Sequence, residues 1–408
     1  MSEPLRPREA KQVEETVCWA LGQNKTLEIV GRGTKRAIGR AAQWDATLDM
    51  SGFSGITLYE PEELVLSAKV GTPLAEIETL VAASRQELAF EPMDYGPLLG
   101  GPSGAGTIGG MIAANLSGPR RIKAGAARDH FLGFTAVSGR GETFKSGGRV
   151  VKNVTGYDLC KLMAGSWGTL AAMTDVTIKT LPKAETEQSV LVLDLDDGTA
   201  RKVMTATMGS FADVSAAAHV PAPLAARVAE TASLQGAVTA FRLEGVAPSV
   251  TQRKAVLEKL LGPFGALARL EEAPSRALWR AIRDVMPFAA NGPVGGHDVW
   301  RISTAPTRGI EIGRALLDAA GAEILYDWAG GLIWAALPRS DDAHAPLVQS
   351  TVAAAGGHAT LIRAPAAVRA KVEVFMPEPA ALAALTQRVR KGFDPQGLLN
   401  AGRMWAGV

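Results

Sequence analysis

Apolar positions recur at helical spacing from about Arg8 to Leu21, and the run Thr26 to Val30 that follows is a short strand entering a glycine loop. Asp45 to Met50 and Gly55 to Tyr59 read as further short strands. LVLSAKVGTPLAEIETLVAA then predicts a strand and an amphipathic helix that begins after Thr72-Pro73. From Phe131, two β-type runs flank Gly139-Arg140-Gly141-Glu142 as a hairpin does. Asp175 to Leu181 alternates like a half-buried strand, and Pro182 closes it, which places a first domain boundary there. Beyond Glu185 the glycines thin out. Val190 to Asp197 and Ala237 to Leu243 read as strands, with helices at Thr199 to Met208 and over TQRKAVLEKLLGPF. Similar units recur at Asp298 to Ser303, Glu311 to Ala320 and Leu332 to Leu337, so the middle region reads as a candidate duplicated half. The pattern predicts an α+β chain whose middle domain lays helices over an antiparallel sheet. The last stretch, from Pro377, gives one helix and a turn-rich tail.

Leu98 to Gly141 does not fit an ordinary strand or helix, because eight glycines fall between Gly100 and Gly125. Glycine costs backbone entropy, so such density is kept where φ must be positive or where backbone meets something other than protein. A large anionic cofactor fits that requirement.

Composition narrows the classes. The chain has 408 residues, 47% of them hydrophobic, and a net charge of +2, so it can bury substantial cores and carries no polyanion-binding bias. The cluster Arg120, Arg121, Lys123, Arg128 is too short for a nucleic-acid footprint and reads equally as a solvated loop or as phosphate steering. Cys18 and Cys160 are the two cysteines, which argues against disulfide scaffolds, zinc sites and iron–sulfur ligation and for a reducing compartment. The expectation is no resident metal and a cytoplasmic protein. No apolar run reaches the ~20 residues of a bilayer span, so any contact with a membrane comes through partners.

Three glycine motifs carry the candidate chemistry. Gly31, Arg32, Gly33, Thr34 and Lys35, with Gly39 beyond, follow a strand and can aim N–H groups into one concavity. A dinucleotide fingerprint fails here, since the third glycine is misplaced and no βαβ unit follows. Taken alone, the loop is as well read as a tight hairpin. The second motif runs from Pro102 through Gly106, Thr107, Gly109 and Gly110 to Asn115, a glycine loop entering a small-residue helix whose first N–H groups favour negative charge. Close helix packing explains its alanines equally well. The third comprises Gly156 and the run Gly165 to Leu170, with Gly168 and Thr169.

Together these motifs, with Arg128-Asp129, Leu132-Gly133 and the ending TDVTIKTLP, resemble the FAD-binding domain of the vanillyl-alcohol oxidase and p-cresol methylhydroxylase superfamily. The resemblance implies a two-lobed FAD-binding domain over residues 1–182, an α+β cap with an antiparallel sheet over 183–375, and a segment 376–408 that returns to the FAD domain. It implies that Gly31 to Lys35 and the segment around Thr107 to Gly110 hold the pyrophosphate. Gly168 and the strand near Val176 would lie by the adenosine part, and the tail with Asn400 and Arg403 would close the site. Ala401 stands where proline is commoner. Members that tether the flavin carry histidine in the first loop, where this chain has Thr34, so FAD is expected to be non-covalent.

RRIKAGAARDHFLGF, VVKNVTGYDLCKLMAGSWGTL, Ala277-Leu278-Trp279-Arg280, Trp300-Arg301-Ile302-Ser303 and Trp328-Ala329-Gly330-Gly331 are similar to the E-subunit family of bacterial glycolate oxidase. That likeness implies a flavoprotein subunit beside a second FAD-containing glycolate oxidase subunit and an iron–sulfur subunit, oxidising the small 2-hydroxy acid glycolate to glyoxylate. Such chemistry needs a cation for the carboxylate and a base for the hydroxyl proton. Arg301 is the candidate cation, because guanidinium pairs bidentately with carboxylate, although a surface ion pair on an edge strand explains it as well. His297 and His358 are the candidate bases, and each also reads as an ordinary surface histidine. The histidine-rich pattern of self-sufficient 2-hydroxyacid dehydrogenases is missing, which favours a chain that works within a complex.

Overall fold

In the computed structural model, which describes residues 3–149 and 156–406, the first third forms two small sheets. β1 (Leu27–Val30) and β2 (Ala46–Asp49) pair in parallel, and single bridges from Leu399 and Leu5 flank them. The second sheet takes β3 (Ile56–Glu60), β4 (Val65–Lys69), β6 (Phe131–Ser138), β7 (Thr143–Gly147) and β8 (Ala171–Lys179), and β5 (Gln86–Glu87) pairs apart from it with β9 (Leu181–Pro182). Its order is β3-β4-β8-β6-β7, antiparallel throughout. β4 and β8 lie inside and are mostly buried, whereas β7, at an edge, alternates exposed and half-buried residues. The expected hairpin is present, with Gly141 at φ +74° and its N–H on Ser138 O. The quoted segment Val150 to Thr155 lies outside the described residues.

The helix Ile108–Ala113 packs at the ends of β4 and β8. Gly109 makes that contact possible, because its N–H reaches Val70 O at 2.9 Å and a Cβ there would stand 2.6 Å from Val70 Cβ.

The remaining strands build one eight-stranded antiparallel sheet. They are β10 (Thr186–Leu193), β11 (Ala216–Val220), β12 (Val238–Gly245), β13 (Leu267–Leu270), β14 (Asp298–Ser303), β15 (Glu323–Asp327), β16 (Leu332–Leu337) and β17 (His358–Arg363). Their order, β13-β10-β12-β11-β15-β16-β14-β17, is two βαββαβ units joined at the second strand of each. Antiparallel pairing of β11 with β15 relates the halves by an approximate two-fold, so the duplication read in the sequence is real at the level of topology.

Alternation decides which face each residue takes. Trp300, Ile302, Ile333 and Leu361 pack beneath the helices Gly309–Ala320 and Ala345–Ala354, and Val190, Val192 and Phe241 pack beneath Asp197–Met208 and Ala247–Leu261. The opposite face, with Leu191, Ala240, Val299, Leu325 and Trp334, joins the core of the first two sheets. Arg301 and Arg242 therefore point from the cap sheet toward the glycine-rich part of the chain. Among the described residues no helix is long and apolar enough to cross a membrane.

Candidate functional site

The first and second glycine motifs meet. Gly31 passes so close to Thr107 that a Cβ would stand 2.5 Å from its hydroxyl, which in turn accepts from Gly110 N at 3.3 Å. Lys35 extends over Gly110 and donates to Thr34 Oγ1 at 3.2 Å. Burial, and then the charge of Arg403, lower its ammonium to about 8, with Asp94 partly opposing.

The third motif and the tail close the other side. Gly168, at φ +73°, leaves room for Asn400, whose amide would be 2.7 Å from a Cβ there. Asn400 accepts from Ile29 N at 2.8 Å and donates to Trp167 O at 2.7 Å, tying the tail to β1 and to the third loop. Arg403 donates to Lys35 O at 2.7 Å and lies over the Trp167 ring, 5.5 Å from its centroid. Its Nε is buried with no partner among the described residues, and burial holds the guanidinium down at about 10.

These segments wall an open cleft between the two small sheets. Gly31, Arg32, Gly33, Thr34, Lys35, Thr107, Gly109, Gly110, Gly168, Asn400 and Arg403, all singled out in the sequence, line it. Met50, Val70, Trp167 and Met173 line it too. Met50, Val70 and Met173, apolar residues inside or beside strands, carried no signal that separated them from core, whereas Trp167 stands within the third glycine motif. The lining brings Arg32, Lys35, Arg36 and Arg403 and no carboxylate; Arg36 is engaged by Glu28, at 2.9 Å through its Nε. Among the described residues no histidine, cysteine or tyrosine lines the cleft. Cys160 is buried in the helix Leu159–Met163, and burial pushes its thiol up to about 12.

The other expected cofactor positions lie off the cleft lining. Gly39, at φ +95°, lets Arg403 O pass behind the loop, and Pro102 O crowds Gly96. Gly106 O accepts from Leu74 N, and Gly165 donates to Ile112 O. Asn115 takes φ +48° and accepts from Arg128 N at 3.1 Å; Thr169 is buried on Ser166 O; Val176 is buried inside β8. Gly156 takes φ +79°, and a Cβ there would meet no described residue within 4 Å. Close approach of backbone to backbone explains most of these, a requirement that leaves the same mark in a sequence as approach to a ligand.

The basic cluster was read as a solvated loop or phosphate steering; Lys123 and Arg128 are indeed half exposed to solvent, but Arg120 fits neither reading. Arg120 is buried against cap residue Glu244 at 2.7 Å and against Glu87 at 2.7 Å. Cap residue Arg242 reaches back to Glu91 at 2.7 and 2.8 Å. Burial would raise Glu91, but Arg242 and Arg120 outweigh it and hold the carboxyl at about 2. Lys123 pairs with Asp213, and Arg128 lies 3.8 Å from Asp129. Arg121 instead lies over the Trp328 ring.

Arg301 lies in β14, one strand in from the edge strand β17, and no ion pair or hydrogen bond with a described residue engages it. The surface ion pair is therefore absent. Burial lowers its guanidinium, with Tyr95 and Asp327 opposing. His358 shares this face, and desolvation, then Arg301 and Arg121, hold its imidazole below the usual range. His297 is not part of this group: its carbonyl accepts from Arg363 Nε at 3.0 Å in another corner of the cap. Asp327, which the sequence did not single out, is buried here, and desolvation, partly offset by the Trp328 N–H, pushes its carboxyl up to about 7. Among the described residues no group of three or more His, Cys, Asp or Glu is placed to hold a metal ion.

Residues 4–147 match the FAD binding domain family. The chain is 31% identical to the glycolate oxidase subunit GlcE of Escherichia coli K12 over 96% of each chain. It is 33% identical to the glycolate oxidase subunit GlcD of Bacillus subtilis over 41% of this chain and 33% of that one. Substrate-bound p-cresol methylhydroxylase superposes with a TM-score of 0.70 at 12% identity, covering 98% of this chain and 88% of that one. The fold is thus that of the p-cresol methylhydroxylase type of flavoprotein, and FAD is the cofactor. More narrowly, the chain belongs to the family of the glycolate oxidase subunit GlcE. The cleft fits such a group: it is positive, its glycines admit close approach, and Arg403 Nε is an unpaired donor beside it.

Proposed function

We propose that this chain is the FAD-binding E-type subunit of a multi-subunit glycolate oxidase, in which residues 1–182 and 376–408 hold FAD and residues 183–375 form the cap. The likeness to GlcE across both chains carries the reading. Gly31 to Lys35, Thr107 to Gly110, Gly168, Asn400 and Arg403 would hold the cofactor, with Lys35 and Arg403 offering charge to the pyrophosphate. Binding would be non-covalent, since among the described residues the cleft lining includes no histidine, cysteine or tyrosine to form a bond.

Glycolate gives up two electrons and two protons in becoming glyoxylate, and FAD, when bound, supplies the two-electron acceptor. Arg301 would hold the carboxylate. Asp327, near neutrality, would take the hydroxyl proton, with His358 as the second candidate. Electrons would leave to a second FAD-containing subunit and an iron–sulfur subunit, through which any membrane attachment would also run.

Anaerobic mixing with glycolate tests the proposal. The purified chain should keep its flavin oxidised when alone and lose flavin absorbance once the partner subunits are added. Full bleaching by glycolate or D-lactate without partners would instead identify a self-sufficient 2-hydroxyacid dehydrogenase. A protein without flavin would be a non-catalytic assembly subunit.

A further inference from the structure

The glycine-rich segment does not end its work at the cleft. From Thr107 at the cofactor loop it runs through the helix Ile108–Ala113 to Gly118, whose carbonyl accepts from Trp328 Nε1 at 2.9 Å, and on to Arg121. Trp328 opens the β15–β16 turn and takes φ +51°, followed by Ala329 at +56°. Two successive left-handed residues, one with a bulky side chain, persist only where surrounding contacts over-determine them. Here they present a buried indole to two guanidiniums. Arg121 Cζ lies 4.3 Å and Arg301 Cζ 5.2 Å from its centroid.

Arg121 comes from the FAD part of the chain and Arg301 from the cap, and no carboxylate among the described residues pairs with either. Like charges repel, and stacking on one ring recovers only ~0.5–2 kcal/mol for each. An anion shared between the two guanidiniums relieves that repulsion, and each offers a planar fork of donors suited to a carboxylate. Tyr95, a buried residue, stands in the field of Arg301 and packs its ring on Trp334 at 6.4 Å.

We propose that Arg121 and Arg301 together form a binding site for the carboxylate of a small 2-hydroxy acid at the junction of the two domains, with Trp328 as its fixed platform. The inference rests on the function proposed above and adds Arg121 as a residue that determines affinity. It also explains the turn: the strain in Trp328 and Ala329 fixes where both guanidiniums stack.

Isothermal titration of glycolate into the full chain decides it. Arg121→Ala and Arg301→Ala should each weaken glycolate binding roughly 10- to 100-fold. Arg121→Lys should fall between, keeping the charge but losing the fork. Lys123→Ala, two residues along and paired with Asp213, should bind as wild type, and circular-dichroism melts should show all four variants folded. Unchanged affinity in Arg121→Ala, no binding by wild type, or equal competition by phosphate would each overturn the site. If glycolate binds through both arginines yet never reduces the flavin with partners present, the site stands and the proposed reaction fails.

Discussion

Lys35 and Asp327 are the residues whose charge the fold alters most usefully. An ammonium that titrates at about 8 stays charged to higher pH once pyrophosphate arrives, so FAD binding should be tightest below that pH. Affinity should fall as pH rises through it, by up to about tenfold per pH unit, toward the ordinary lysine value. Lys35→Ala should weaken FAD roughly 10- to 100-fold at pH 7 and abolish this pH dependence, as fluorescence titration of the apoprotein would reveal. Asp327 works in the opposite sense. Its folded carboxyl titrates near 7, against an ordinary value near 3.8, so wild-type stability declines as pH rises between the two. Asp327→Asn keeps an acceptor for Trp328 N and removes the buried charge. We expect it to match wild type at pH 4 and to be more stable at pH 8 by on the order of 2 kcal/mol in urea unfolding. Under the proposed mechanism the same variant loses turnover. Lys35 and Arg301 were legible in the sequence because loop glycines and a Trp-Arg strand flagged them. Asp327 and the proposed role of Arg121 were not, because burial depends on tertiary packing and Arg121 meets the Trp328 indole from a distant part of the chain.

Among the elements, the longer apolar strands were legible, and Asp298–Ser303 and Leu332–Leu337 match their expected bounds. β11, with the sequence Ala-Ala-Ala-His-Val, was missed since alanines carry little strand preference; it is held by neighbours on both sides. β5, β9 and β13 are too short to announce themselves. The glycine loops were legible as places of close approach, yet sequence alone did not separate those that face the cleft from those that face backbone. Gly109 is an instance of both, lining the cleft and seating its helix on Val70. Gly109→Ala should force that helix outward, costing about 1–3 kcal/mol in denaturant unfolding and weakening FAD retention in gel filtration. Gly104→Ala is the informative contrast, because a Cβ there meets nothing within 4 Å; any cost comes from its φ of +72° alone.

At the scale of the molecule, the eight-stranded sheet is locked to the glycine-rich part of the chain by exchanged ion pairs: Arg120 holds Glu244 of β12, and Arg242 of β12 holds Glu91. Such a network fixes how the face bearing Arg301 meets the segment bearing Arg121. Glu91→Gln would leave two buried guanidiniums short of a carboxylate, and breaking a buried pair costs about 3–5 kcal/mol. Because Glu91 is held at about 2, its contribution is complete above the ordinary glutamate range and vanishes as pH falls toward 2. The variant should therefore be clearly less stable than wild type at pH 7 and converge with it in acid. The central claim, that the cleft walled by Gly31 to Lys35, Thr107 to Gly110, Gly168 and Arg403 holds FAD without a covalent bond, is tested most directly by one measurement. The gently purified chain is scanned in the visible range, precipitated with acid, and the supernatant scanned again. A flavin spectrum near one equivalent per chain, released entirely to the supernatant, is the predicted result. Flavin that stays with the precipitate, or a chain with no flavin absorbance at all, would contradict it.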